Sequence, residues 1–199
     1  MPTVVLVGTL DTKGIEYDYL RERLRAHGVD TLLVDAGVLD KPRAEPDITR
    51  EEVARAAGAD TRSLADAGDR GAAVETMARG AAEIVTRLHS EGRLDGVLAL
   101  GGSGGTAIAT EAMRALPVGI PKLMVSTMAS GDTRPYVGAN DVTMTYSVVD
   151  IAGINAVSAQ ILANAAAAIA GMAAAEPPSV TGDRALVGAT MFGVTTPCV

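Results

Sequence analysis

Apolar positions follow two rhythms along this chain, and their alternation predicts its architecture. Residues 3 to 8, Thr-Val-Val-Leu-Val-Gly, form a continuous β-branched and apolar run, the pattern of a central parallel strand covered on both faces. The run ends in Gly8-Thr-Leu-Asp-Thr-Lys-Gly14. A helical pattern follows from Ile15 to His27, with Ile15, Leu20 and Leu24 near one face, Arg21, Arg23 and Arg25 largely outward, and Gly28 as C-terminal cap. Thr31 to Val34 predicts a second strand, ending in Asp35-Ala-Gly37. From Val38 to Gly68 the chain is polar and irregular, with one short helix marked by the capping box Thr49-Arg-Glu-Glu52. That stretch is expected to pass over the carboxyl edge of the sheet as a covering loop or a lid.

Helical spacing returns from Gly71 to Ser90, where Val74, Met77, Ala81, Ile84, Val85 and Leu88 form a core stripe. Next comes Asp95-Gly-Val-Leu-Ala-Leu, an apolar run that stops in Gly101-Gly-Ser-Gly-Gly-Thr106 and passes directly into a helix ending near Leu116. Lys122 to Ser126 is a further buried strand, and it empties into Thr127-Met-Ala-Ser-Gly-Asp-Thr-Arg134. Val142, Met144, Tyr146 and Val148 alternate with polar residues, as on an edge strand. Ile151 to Ala175 holds no charged residue, and its length would cross a bilayer. Its Ala and Gly content, interrupted by Asn155, Ser158, Gln160 and Asn164, instead predicts a helix packed between layers or against a second domain or partner.

Strands alternating with helices define an α/β fold: a doubly wound, mostly parallel Rossmann-like sheet with helices on both faces. The domain is expected to span 1–182. After the linker at Glu176 to Gly182, Ala185 to Val194 restarts a strand pattern, so 183–199 reads as the first strand of a second α/β domain, truncated.

In such folds ligands bind outside the carboxyl ends of the strands. Three loops fall there, each containing glycine and hydroxyl groups. Gly8, Thr9, Asp11, Thr12 and Lys13 lie in the first, Gly101, Gly102, Ser103, Gly104, Gly105 and Thr106 in the second, and Ser126, Ser130 and Gly131 in the third; Asp35 joins them from the second strand. Glycine permits close backbone approach, so successive N–H groups from Gly102 to Thr106 can face one anion at the start of a helix. One helix terminus contributes only about 0.3 to 1 kcal/mol to an exposed anion and up to about 2 when partly buried, so several loops must share a nucleotide. Lys13, Arg70 and Arg134 are the basic candidates, whereas Lys122 opens its strand and belongs to the opposite edge. Asp11 and Asp132 are candidates for Mg²⁺ beside phosphates.

Charge and composition narrow the classes. A formal net charge of −7, no Trp, a single Phe (Phe192) and no basic run argue against a nucleic-acid surface. His27 and His89 sit near helix ends, away from the predicted site, so neither a Ser-His-Asp triad nor a histidine-held metal is expected, and Ser130 has no visible base. One cysteine, Cys198, cannot form an intrachain disulfide, and the start Met1-Pro-Thr-Val-Val lacks signal-peptide features. The expected compartment is the cytoplasm.

Taken together, the loops carry a resemblance. Val7 to Gly14, Asp69-Arg-Gly71, Gly101 to Thr106, Met124 to Asp132, Tyr146 to Asn155 and Gly188 to Pro197 resemble, in the same order, the ATP-binding domain family of the tomato mosaic virus resistance protein and its bacterial relatives. The resemblance implies ATP, with or without Mg, as ligand of a Rossmann-like amino-terminal half, a second α/β half, and a homodimer. It extends the nucleotide-binding expectation to the three loops only; the hypothesis built on it takes Lys13 as phosphate counter-charge, Thr9, Thr12, Ser103 and Ser130 as donors, and Asp35 at the ribose hydroxyls. It carries no catalytic residue. Two alternatives stand beside simple ATP binding: the catalytic half of a Mg-ATP-dependent phosphoryl-transfer or ligase-type enzyme, and a protein-interaction module with ATP as structural ligand.

Overall fold

The computed structural model describes residues 1–176. The strand expected at Ala185 to Val194, and with it the division between 1–182 and 183–199, lies outside the described residues.

Within 1–176 the order is β1 (Thr3–Gly8), α1 (Leu10–Ala26), β2 (Asp30–Asp35), α2 (Arg50–Ala56), α3 (Thr61–Ala67), α4 (Arg70–Ser90), β3 (Gly96–Gly101), α5 (Ser103–Arg114), β4 (Lys122–Ser126), α6 (Arg134–Val137), β5 (Thr143–Tyr146) and α7 (Ala156–Ala174). The five strands pair in the order β2-β1-β3-β4-β5, all parallel. From the centre the chain winds outward through α1 to β2, crosses back through α4, and winds the other way through α5 to β4. Right-handed crossovers in opposite directions place helices on opposite faces. Accordingly α1 and α7 pack on one face through Leu20, Leu24, Leu162, Ala166 and Ile169, while α2, α4 and α5 cover the other through Val53, Met77, Ile84, Val85, Ile108 and Met113. The fold is the doubly wound α/β arrangement that the two rhythms predict.

The central strands are apolar on both faces because both faces are covered: Val4 to Val7 and Val97 to Ala99 have no exposure. Edge strand β5 is half-exposed, as its alternation predicts. Helix α7 opens with a capping box between Asn155 and Ser158. Its inner face is buried and its outer face is open, with Val157 and Met172 exposed, so among the described residues it is covered on one side. By length and composition it is the one described helix that could cross a membrane.

Two expectations about α1 change. The helix begins at Leu10 rather than Ile15, so most of the expected loop forms its first turns, with a kink at Lys13 (φ −126°, ψ 17°). Ile15 is exposed and Tyr17 is the buried residue of that face. The N-terminal cap explains why the boundary was hidden: Asp35, 25 residues away, accepts the Leu10 N–H at 3.1 Å, while Thr9 makes no side-chain cap.

Candidate functional site

Strands β1 and β3 pair from Val4 to Leu6 against Gly96 to Leu98 and then diverge. This is where the winding direction reverses, and the divergence strips backbone groups at Val7 and Leu100 of ladder partners. Tyr17 supplies them: its hydroxyl donates to the Val7 carbonyl at 2.5 Å and accepts the Leu100 N–H at 3.0 Å. Burial pushes the phenol well above its usual pKa, against a smaller opposing effect of the Leu100 N–H. The ring occupies the space beside Gly8, where a Cβ would lie 2.1 Å from it. Tyr17 thus wedges the crevice open.

Above this wedge lies a cavity of about 390 Å³, within the range of small-molecule sites. Thr9, Asp11, Thr12 and Lys13 line one side and Gly101 to Gly105 the other. The stretch from Val38 to Gly68, expected as a covering loop or lid, supplies wall residues Val38, Leu39 and Leu64, and α4 adds Arg70, Val74 and Met77.

Two helices begin at the crevice, and their N-termini differ. At α1 the Leu10 N–H is already taken by Asp35. At α5, Gly102 is the N-cap and makes no side-chain cap; the first intrahelical bond closes from the Thr106 N–H to the Gly102 carbonyl at 2.8 Å. The N–H groups of Ser103, Gly104 and Gly105 precede that first bond, so they are the donors a helix start leaves for a ligand. Arg70 flanks them, since a Cβ at Gly104 would lie 3.8 Å from its guanidinium. Among the described residues no carboxylate pairs with Arg70.

Lys13 lines the cavity opposite, its ammonium donating to the Ile151 carbonyl. The segment it holds leaves β5 through an i to i+2 turn in which the Val149 N–H reaches the Ser147 carbonyl at 2.7 Å. Val148, at its centre, takes φ +63°, a strained conformation for a β-branched residue. Glu16 ties the same segment to α1 by accepting the Gly153 N–H at 2.7 Å. Together these bonds bring Asp150 to the cavity lining.

Several expected site residues fall elsewhere. Asp35 is buried and outside the cavity lining: its Oδ1 accepts from Leu10 and from Gly37 (2.9 Å), and its Oδ2 pairs with Arg50 Nε at 2.7 Å. Burial raises its pKa, opposed by the Gly37 N–H and Arg50. Thr106 and Ser126 are also buried, joined to each other at 2.7 Å, so they stitch the glycine loop to β4 instead of facing a ligand. Ser130, Gly131 and Arg134 do not line the cavity. Asp132 and Arg134 pair with each other at 2.6 Å on the surface, and that hydrogen bond lowers the Asp132 pKa. The third loop follows β4, one strand beyond the reversal, and so misses the crevice. Lys122 is at the opposite edge as expected, but fully buried, donating to the Pro117 and Ile120 carbonyls and to Asp141. Tyr17, the 36–39 turn and Asp150 were not anticipated. Tyr17 sits at helical spacing with Leu20 and Leu24, which is the signal that could have found it.

Fold and cavity define a doubly wound α/β domain that presents an uncapped, glycine-built helix N-terminus at its topological switch point. Residues 2–178 match the N-terminal domain of the uncharacterised protein family UPF0261, and the chain belongs to that family. It is 52% identical over 193 residues to a UPF0261 protein of Clostridium tetani, covering 97% of this chain and 48% of that protein. It is 44% identical over 199 residues to the UPF0261 protein mlr3387 of Mesorhizobium japonicum, covering 100% and 49%. It is 38% identical over 218 residues to the ToMV resistance protein Tm-1(GCR237) of Solanum lycopersicum, covering 100% of this chain and 29% of that protein. The chain spans about half the length of the bacterial relatives it matches.

Proposed function

We propose that this domain binds a nucleotide, ATP, in the cavity between β1 and β3. One observation carries the reading: the glycine-built N-terminus of α5 opens into that cavity with Arg70 beside it and Lys13 across from it. The N–H groups of Ser103, Gly104 and Gly105 receive phosphate oxygens, with the two cations balancing their charge. The apolar wall of Val38, Leu39, Leu64, Val74, Met77 and Ile108 takes the base. The domain works in the cytoplasm, as part of a metabolic or regulatory homodimer. A catalytic role, with Mg-ATP and phosphoryl transfer, would draw its remaining groups from the second half that the bacterial relatives possess.

Isothermal titration of the full-length protein with ATP, with and without Mg²⁺, tests this reading. Saturable heat and a raised melting temperature are expected. No heat at millimolar ATP together with an unchanged melting temperature would overturn it. Release of phosphate or of a phosphorylated product across a substrate panel separates an enzyme from a binding module.

A further inference from the structure

Helix α7 carries no charge. Between Asp150 and Glu176 the sequence holds no Asp, Glu, Lys or Arg, whereas α1, α4 and α5 all carry charged residues. Its inner side is buried through residues such as Leu162 and Ile169. Val157, Asn164, Ala168, Gly171 and Met172 are exposed, and their spacing of three, four or seven residues sets them on one outer stripe. The polar members satisfy each other, the Gln160 side-chain amide donating to the Asn164 Oδ1 at 2.9 Å. Gly171 is unexplained within the domain: a Cβ built there meets nothing within 4 Å among the described residues, so there is room for a side chain. Glycine inside a helix lowers its stability relative to alanine, and it is useful where another backbone passes close. No described element passes close to Gly171, so that neighbour lies outside residues 1–176.

We propose that the outer stripe of α7 is the seat of the second half of the polypeptide, which sets an uncharged, apolar surface against it. The course of the chain favours this occupant. Residues 2–178 match the N-terminal domain of the family, and the chain covers 48% and 49% of two bacterial relatives, so roughly as much polypeptide again follows α7 in those proteins. It begins within a few residues of Ala174, at the end of the stripe. A short tether holds a joined surface at about millimolar effective concentration, an advantage that a second copy arriving from solution lacks. A bilayer fits less well, because a helix lying on one presents Lys and Arg, which α7 lacks, and a helix crossing one would strip Leu162 and Ile169 from the core.

For the test, full-length protein carrying p-benzoylphenylalanine in place of Met172 is irradiated, and the products are read by denaturing electrophoresis and mass spectrometry. The expected product has the mass of one chain, with position 172 joined to residues beyond Gly182. A product of twice that mass gives the stripe to a second copy and overturns the proposal. Attachment confined to residues 1–176, attachment to lipid when vesicles of phosphatidylcholine and phosphatidylglycerol are present, or absence of any protein product also overturns it. Ala168→Glu in the full-length protein is an independent probe, since it brings a charge into the stripe without touching the inner side of α7. Burial of that charge is expected to lower the melting temperature by about 5 °C or more. Ala56→Glu, at the exposed end of α2, is expected to leave it within about 2 °C. Equal melting temperatures for wild type and Ala168→Glu overturn the proposal, and should Ala168→Glu fail to fold, the cross-link decides alone.

Discussion

Lys122 shows how much a single residue's surroundings add to its position in the sequence. As the first residue of β4 it was legible as a lysine at the far edge of the sheet. Its complete burial was not, because the groups that solvate the ammonium come from a turn on one side and from Asp141, 19 residues on. Asp141 is the exposed end of this pair, at 38%. Burial acts to raise its pKa, but the Lys122 ammonium and the Gly119 N–H outweigh that effect and hold it below the usual value of 3.8. A lowered folded pKa means that the unfolded chain binds more protons in the interval between the two values. The contribution is therefore present above pH 3.8 and is lost as pH falls through the folded value. Asp35 has the opposite sign, since its raised pKa weakens the native state as pH rises through that value. Asp141→Asn is expected to lower stability by about 1–2 kcal/mol at neutral pH, less than a fully buried pair because water screens the aspartate. Urea unfolding at pH 7 and pH 3 measures it: the gap between wild type and variant should shrink at pH 3, and a constant gap would count against the assignment.

Among the elements, α1 was the hardest to place, and its cause is non-local. Leu10-Asp-Thr-Lys-Gly14 reads as loop because Asp, Thr and Gly favour turns, and nothing nearby announces a helix start. The cap comes from Asp35, and glycine is required at position 14 because a Cβ there would lie 2.7 Å from the backbone of Arg43. Helix α5 was easier, since its glycine run and apolar stripe are contiguous in the sequence. The wedge that α1 delivers is testable. Tyr17→Phe removes the hydroxyl but keeps the ring against Gly8, leaving the buried Leu100 N–H and Val7 carbonyl without that partner. A loss of about 1–3 kcal/mol is expected, the penalty for an unsatisfied buried group. Thermal unfolding read by circular dichroism checks it, and an unchanged melting temperature would mean that β1 and β3 close up on their own. Gly8→Ala is expected to be more damaging, because its methyl overlaps the ring itself.

For the molecule as a whole, strand order decides which loops share a site, and strand order was the quantity that hydrophobic rhythm left open. The sequence places three loops on the carboxyl edge without saying which are adjacent. The order β2-β1-β3-β4-β5 puts the reversal between β1 and β3, so their loops face each other and the Ser126 to Arg134 loop stands one strand away. The gap is filled by the 36–39 turn and α3, around a stretch whose lack of periodicity marked it only as a cover, and by the start of α4, whose periodicity reads as core alone. Substitutions across all of these segments test that arrangement together. Arg70→Ala and Lys13→Ala are each expected to weaken ATP by about tenfold, the scale of one charge-assisted contact, and the Arg70 effect should shrink as ionic strength rises. Ser130→Ala and Arg134→Ala should leave affinity within about twofold, because surface substitutions away from a site change little. Isothermal titration of the four full-length variants supplies the comparison. If Ser130→Ala weakened ATP as much as Arg70→Ala, the ligand would have to reach across β4, and the crevice between β1 and β3 could not by itself be the site.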